Sequence, residues 1–456
     1  MKYFVFSIAA LGVPPLACLL ALNSKWSKYV IWGMLVALCF YQCTAINFFS
    51  HEGYRGTARG MEVSIIYLFA AALLMVSAIK FRFPGLFPTT GSKLYLLYFL
   101  LCLPSWGAAE NTLYCWLETW KMIMLYLVYL SVRAYLNMTD NMNTIVRGFS
   151  VVVIWNFLMI VKAHLMGDYQ PHGIFPHQNS MVMAMHMLGN VYFAFYIGRG
   201  ARRHPFMVVS FVLAAGSLVR SYSRAGIAIM PVSYAITMFA TWLKSPDLTI
   251  ARLCRRIAPL AVLGLVGLAA MLPRIIERFN TAPEASKNTR IELAQCAAEM
   301  IRDEPWRGVG INNWGIKINP PYEYAERAGR EPNRGEDFRD GIVETVYLLV
   351  GAECGIPALA AMILWFLYYL VLAFRLIRRL SGTWLCCIPA GMVGGLVACY
   401  LQSCLEWVLR QQINLVILMF FFAMLDHLLV NYRPGAMTAG LDKGRTRNEK
   451  QPAPAV

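Results

Sequence analysis

The sequence predicts an all-α fold, a polytopic transmembrane bundle of about 12 to 13 helices carrying one large, partly helical external loop. Three observations predict it. Of 456 residues, 58% are hydrophobic and only 14% charged, whereas an average soluble domain carries about 25% charged residues. Apolar runs of membrane-crossing length recur along the chain. One hydrophilic stretch, 273–340, interrupts them and is followed by Gly341-Ile-Val-Glu-Thr-Val-Tyr-Leu348.

A helix crossing the hydrocarbon core needs about 17 to 25 apolar residues. Runs of this kind lie near 4–22, 29–47, 62–79, 93–107, 113–131, 145–164, 180–197, 206–220, 225–243, 257–272, 342–371, 383–402 and 412–432. The runs at 93–107 and 206–220 are short, as expected of tilted or half-spanning segments. The first run resembles a signal peptide, but Pro14-Pro15 interrupts it and no small-residue cleavage pattern follows, so it reads as a retained helix.

Lys and Arg concentrate in alternate short connections: Lys25 and Lys28, then Lys80, Arg82 and Lys93, then Arg199, Arg202 and Arg203. Further clusters are Lys244 with Arg252, Arg255 and Arg256, then Arg375, Arg378 and Arg379, and the tail from Lys443 to Lys450. The positive-inside rule assigns these to the cytoplasm. Residues 48–61, 165–179, 220–224, 273–340 and 403–411 then fall outside, with the N-terminus outside and the C-terminus inside. The organisation expected is a transmembrane domain over 1–432, the inserted external loop at 273–340, and a disordered cytoplasmic tail over 433–456.

The net charge of +16 does not require nucleic acid. The 273–340 segment holds 11 Lys and Arg against 12 Asp and Glu, and the remainder holds 30 against 13. The excess is a topology signal and an attraction to anionic membrane lipids. Twelve cysteines lie mostly in apolar runs and form neither a disulfide framework nor a metal-binding spacing.

Within the loop, Thr289-Arg-Ile-Glu292 has capping-box spacing, and Ile291, Ala294, Ala298 and Ile301 recur at helical intervals. These predict a helix over 290–303, stopped by Asp303-Glu-Pro305. Arg290 would then oppose the helix macrodipole in the first turn. A bound anion at that helix start resolves the conflict, and pairing with Glu284 or Glu292 resolves it equally.

Arg220-Ser-Tyr-Ser-Arg224-Ala-Gly226 places two arginines four residues apart, on one face if helical. A phosphate or pyrophosphate would neutralise them, and snorkelling to external water is the alternative. Gly173-Ile-Phe-Pro-His-Gln-Asn-Ser180 forms a polar knot in which Gln178 and Asn179 suit sugar hydroxyls and His177 is either a proton carrier or a structural loop residue. Gly53 to Ser64 adds Arg55 and Arg59 to the external face.

Glu344 and Tyr347 open the helix after the loop, with Glu353 deeper. A carboxylate there is either a base for an attacking hydroxyl or an arginine's partner. Glu118 with Lys121, and Glu406 with Arg410, have the spacing of local helical ion pairs.

The order of Ser223-Arg-Ala-Gly226, Arg290, Met300-Ile-Arg-Asp-Glu-Pro305, Gly308-Val-Gly-Ile-Asn-Asn313, Gly341 to Leu348 and Glu353-Cys-Gly355 resembles the O-antigen ligase and polymerase superfamily over roughly 170–370. The resemblance implies a membrane glycosyltransferase of the GT-C type on the periplasmic face of the bacterial inner membrane. Its donor would be an undecaprenyl-pyrophosphate-linked glycan, its acceptor a second lipid-linked glycan or lipid A-core, with no metal or other cofactor. Such enzymes serve lipopolysaccharide or exopolysaccharide assembly. By the same resemblance Arg224 and Arg290 grip the pyrophosphate. Arg220 is expected to join them, and Gln178, Asn179, Tyr347 and Asn312 are the candidates to meet glycan or acceptor. Family ligases carry a His-Asn-like pair where this chain has Glu344-Thr345, so either Glu344 or His177 serves as base, or the chain is a divergent polymerase or an inactive relative. A flippase or transporter for lipid-linked oligosaccharide would use the same external arginines without chemistry and would be expected to show paired repeats, and none is found in the sequence; a non-catalytic envelope scaffold would tolerate loss of Arg224 and Arg290.

Overall fold

Each of the thirteen apolar runs holds a helix in the computed structural model, which describes residues 2–432 except 52, 82–84, 199–204, 244, 246–247, 281–283 and 331–340. In chain order the elements begin with α1 (Lys2–Ala21), α2 (Lys28–Cys39), α3 (Tyr41–Thr44), β1 (Ile46–Phe48), β2 (Met61–Val63), α4 (Ile65–Lys80) and α5 (Thr90–Cys102). The middle of the chain forms α6 (Thr112–Thr139), α7 (Met142–Leu165), α8 (Gln178–Ile197), α9 (Pro205–Arg220), α10 (Arg224–Leu243) and α11 (Ile250–Asn280). The polar segment contributes α12 (Glu284–Asp303), α13 (Trp314–Lys317) and α14 (Tyr324–Arg327), and the bundle closes with α15 (Val346–Arg379), α16 (Cys387–Ser403) and α17 (Gln412–Asn431).

Among the described residues, seven helices are long and apolar enough to cross a membrane: α6, α7, α8, α10, α15, α16 with its preceding turn, and α17. Shorter apolar stretches lie in α1, α2, α4 and α9. The protein is therefore a multi-pass, all-helical membrane bundle.

Two expectations from sequence are corrected. The segment expected to leave the helix at 273 continues through Pro273 to the end of α11 at Asn280. Helix α12 starts at Glu284, not 290, so Arg290 sits in its second turn and Thr289 is not a cap; the expected clash with the macrodipole is weakened accordingly. The all-α class holds, and among the described residues a small antiparallel ribbon accompanies the helices, pairing Ile46 with Val63, Asn47 with Glu62 and Phe48 with Met61. The expected tail, 433–456, lies outside the described residues.

Helix α8 is the most enclosed of the spans, 94% buried, and small residues allow this. A Cβ on Gly391 would fall 2.3 Å from the Val191 Cα, and one on Gly226 would fall 2.5 Å from Val182 Cγ1. Close backbone approach of this kind is how helices associate where lipid removes the hydrophobic drive. It fixes the start of α8 beside the start of α10 and the end of α16.

Helix α15 is broken near its outer end, and the break docks the polar segment. Gly355 has φ +82°, and Pro357 cannot donate to the carbonyl four residues earlier. The freed carbonyls of Ala352 and Glu353 accept from Val309 N and Gly310 N at 2.9 and 3.1 Å, and Ile356 N donates to Pro305 O at 2.8 Å. Gly308 and Gly355 approach opposing backbone so closely that any Cβ would clash, at 2.4 Å and 2.6 Å. The glycines of the 308–313 and 353–355 motifs thus lock loop to bundle.

A buried charge cluster completes the outer half. Arg410 Nη2 lies 2.6 Å from Glu118 and its Nη1 3.4 Å from Glu353, while Lys121 Nζ lies 2.6 Å from Glu118. All four are buried. The Glu118–Lys121 pair forms as the spacing suggests, but the Glu406–Arg410 pair does not. No helix spans 404–407, so the two side chains diverge. Removing one member of a buried ionic cluster typically costs about 3–5 kcal/mol. Arg410→Gln should therefore lower the detergent-phase unfolding temperature sharply, whereas an unchanged melting curve would remove the cluster from its role in holding this loop.

Candidate active site

The starts of three long helices meet at one end of the bundle. Helix α8 opens after His177, whose Nδ1 accepts from Asn179 N at 3.2 Å. Helix α10 opens after Ser223, whose Oγ accepts from Gly226 N at 3.3 Å and donates to Asn179 Oδ1 at 2.9 Å. Helix α15 opens after Thr345, which makes no side-chain cap, so the first amides of that helix face outward uncapped. The end of α16 joins them through Gln402 Nε2, which donates to Asn179 O at 2.9 Å.

Across this junction Arg290 reaches in from α12. Its Nη2 lies 2.6 Å from Glu344 and 3.2 Å from Glu406. Asn179 lies near enough to Glu406 to favour its charged form. Ser223, Asn179, Glu406, Arg290 and Glu344 thus form a polar relay, tied by the Ser223–Asn179 hydrogen bond and the two ion pairs of Arg290. Arg224, the first residue of α10, borders it half-exposed and has no acidic partner among the described residues.

Two carboxylates share one guanidinium, and their environments separate them. Burial raises Glu344, with Arg290 pulling in the opposite direction. Glu406 is more enclosed. Burial first and the neighbouring Glu344 second push it up to about 7, against the opposing pull of Arg290 and the hydrogen bond of Asn179. A carboxylate titrating near neutrality inside a polar relay is suited to proton transfer.

The structure brings Arg224, Arg290, Glu344, Asn179 and His177 to one place, with Gln178 half-exposed beside them. Four residues take positions the sequence did not anticipate. Arg220 ends α9, and the chain reverses at Tyr222 (φ +52°) before Arg224, so the two arginines share no helical face. Arg220 instead contacts His164 and donates to Tyr222 Oη at 2.7 Å. Asn312 is fully buried, bonding the backbone of Thr57, Ala58 and Tyr114, so it braces the fold out of reach of an acceptor. Tyr347 donates to Tyr400 O at 3.1 Å and ties α15 to α16. His177 uses its Nδ1 lone pair as a cap, which leaves Nε2 as the protonated nitrogen of the neutral ring and removes the acceptor that a base needs. Burial, and His172 after it, lower its pKa.

Glu406 is the residue that sequence reasoning assigned elsewhere. Its spacing from Arg410 suggested a helical pair, although the same reading placed 403–411 in a loop, where four-residue spacing carries no pairing. Among the described residues, no group of three or more His, Cys, Asp or Glu side chains is placed to hold a metal ion.

Residues 209–363 match the family model of the O-antigen ligases. That segment is similar to the O-antigen ligases. The match runs from α9 into α15 and contains Arg220, Arg224, Arg290 and Glu344; Asn179 and Glu406 join the site from outside the matched segment. No curated protein matches the chain.

The Glu406 titration is directly observable. Infrared difference spectra of wild type minus Glu406→Gln should show a carboxyl band lost as pH rises through about 7. Asn179→Ala should move that midpoint upward, because the Asn179 hydrogen bond favours the charged form. A midpoint near 4 in wild type, the ordinary glutamate range, would contradict the described environment.

Proposed function

We propose that this protein is a membrane glycosyltransferase of the O-antigen ligase and polymerase kind. It transfers or polymerises glycan from an undecaprenyl-pyrophosphate carrier on the periplasmic face of the inner membrane, in lipopolysaccharide or exopolysaccharide assembly. The observation that carries this reading is the meeting of Arg224, Arg290 and three helix starts around a carboxylate poised near neutrality, within and beside the ligase-family segment.

Pyrophosphate fits the electrostatics. Each helix start carries roughly half a positive charge. Arg224 has no acidic partner among the described residues, and Arg290 holds two carboxylates with one nitrogen while its buried Nε has no hydrogen-bond partner. As the bond from the sugar C1 to the phosphate oxygen breaks, its electron pair passes to the pyrophosphate. Groups aimed at that developing charge stabilise the transition state beyond the ground state. Arginine and helix ends supply this stabilisation in the proposed reaction, with no metal invoked.

The acceptor hydroxyl forms the new bond to C1, and its proton passes to Glu406. Glu344 holds Arg290 in place and keeps the neighbouring carboxylate high in pKa. The chemistry expected of the family's histidine position therefore falls to a carboxylate contributed by the 404–411 loop. The donor glycan enters beside the half-exposed Gln178.

In a deletion strain, wild type should restore polymerised or attached glycan. Arg224→Ala and Arg290→Ala should stall it on the lipid carrier, since removal of one transition-state donor typically costs about 10²–10³ in rate. Glu406→Gln should lower transfer by about 10²–10⁴, more than Glu344→Gln does. Wild-type activity should increase as pH rises through about 7, since Glu406 must be ionised to accept a proton. Unchanged glycan in a stably inserted Arg290→Ala strain would overturn the pyrophosphate assignment.

A further inference from the structure

A cavity of about 470 Å³ opens between residues 41–62 and the 407–413 segment, in the size range of small-ligand sites. It lies next to the relay described above, because Pro176 and Trp407 in its wall directly precede His177 and follow Glu406 in the chain. We propose that it is the subsite for the acceptor saccharide, with Asn47, Arg59, Glu62 and Gln411 holding hydroxyls and Trp407 covering a sugar face. The proposal rests on the glycosyltransferase reading and adds where the second glycan binds.

Three features select a neutral, hydroxyl-rich ligand. The side-chain oxygens of Asn47 and Gln411 are buried and have no hydrogen-bond partner among the described residues. Both are acceptors, so they need a ligand that donates. An ionised phosphate has nothing to donate, and the carboxylate of Glu62 in the same wall opposes it. Sugar hydroxyls donate and accept at once, which matches a wall that also contains Arg59 and the amide of Gln42.

The β-ribbon explains why these groups face together. Asn47 and Glu62 are direct cross-strand partners, so their side chains leave the ribbon on the same face. The turn closing the ribbon packs behind them, since a Cβ on Gly60 would fall 2.7 Å from Asn47 Cβ. The Tyr41 hydroxyl donates to Glu62, and Trp120 Nε1 donates to the Glu62 carbonyl at 3.0 Å, which holds the carboxylate-bearing strand still. Trp407 presents an aromatic face beside these polar groups, and the CH face of a sugar ring is apolar enough to pack on one.

The test uses full-length protein in nanodiscs and two delipidated probes, core oligosaccharide released from lipopolysaccharide and released repeat-unit glycan, with binding read by saturation-transfer NMR. At least one probe should bind wild type. Asn47→Leu and Trp407→Ala should each weaken it by roughly tenfold, the scale of one lost hydrogen bond or ring contact. Trp407→Phe should retain most of the affinity, which separates a stacking role from misfolding. Inorganic pyrophosphate should not displace the bound probe. Absence of binding by either probe, full affinity in both Asn47→Leu and Trp407→Ala, or displacement by pyrophosphate would overturn the proposal. Normal glycan transfer by Arg290→Ala would instead overturn the donor assignment while leaving the binding result standing.

Discussion

The outer half of this protein depends on Arg410. A guanidinium in a membrane bundle is costly unless its charge is met, and Arg410 meets two carboxylates, Glu118 on α6 and Glu353 on α15, while Lys121 restores neutrality to the group. Lys121 also donates to the carbonyls of Thr57 and Arg410. The cluster thus ties together a long span, the kinked helix, the external ribbon and the 404–411 loop. Replacing such a cluster with apolar residues is often tolerated, but removing one partner is not. Its effect here is positional. Fixing Arg410 fixes the loop, and the loop delivers Glu406 to Arg290.

The second constraint is the interruption of α15. A continuous helix would satisfy its own carbonyls and leave the polar segment without an anchor. Gly355 and Pro357 release Ala352 and Glu353 carbonyls at the point where the glycines at 308 and 310 bring amides to receive them. Asn312 then extends the seam to the ribbon and α6. Motifs that carry the family likeness are therefore mostly architectural, and they orient α12 so that one face presents Arg290 to the starts of α8, α10 and α15.

That arrangement places two carboxylates and one guanidinium in contact beside Arg224, which has no acidic partner among the described residues. Of the two carboxylates, the more buried one is pushed up to about 7, because burial first and the neighbouring Glu344 second outweigh the opposing pull of Arg290. A bound pyrophosphate would compete for Arg290 and weaken its hold on both carboxylates. Donor binding and the availability of a base are then coupled through one side chain.

The sequence by itself determined the membrane class, the succession of apolar runs, the polar segment and the grouping of Arg224, Arg290, Glu344 and Asn179 on one side. These follow from local properties: run length, charge placement and turn residues act over a few positions. It also determined Glu118 with Lys121, since three residues in a helix place side chains together wherever the helix lies. Only the tertiary structure decided that Glu406 pairs with Arg290, 116 residues away, that Arg410 turns instead to Glu118 and Glu353, and that Arg220 leaves the site while Arg224 stays. It also decided that Asn47 and Glu62 share a face of a ribbon too short to read from alternation. Each of these depends on where a non-helical link directs the chain, and such links carry no periodicity; their geometry is set by the buried charges and close glycine contacts between helices distant in sequence.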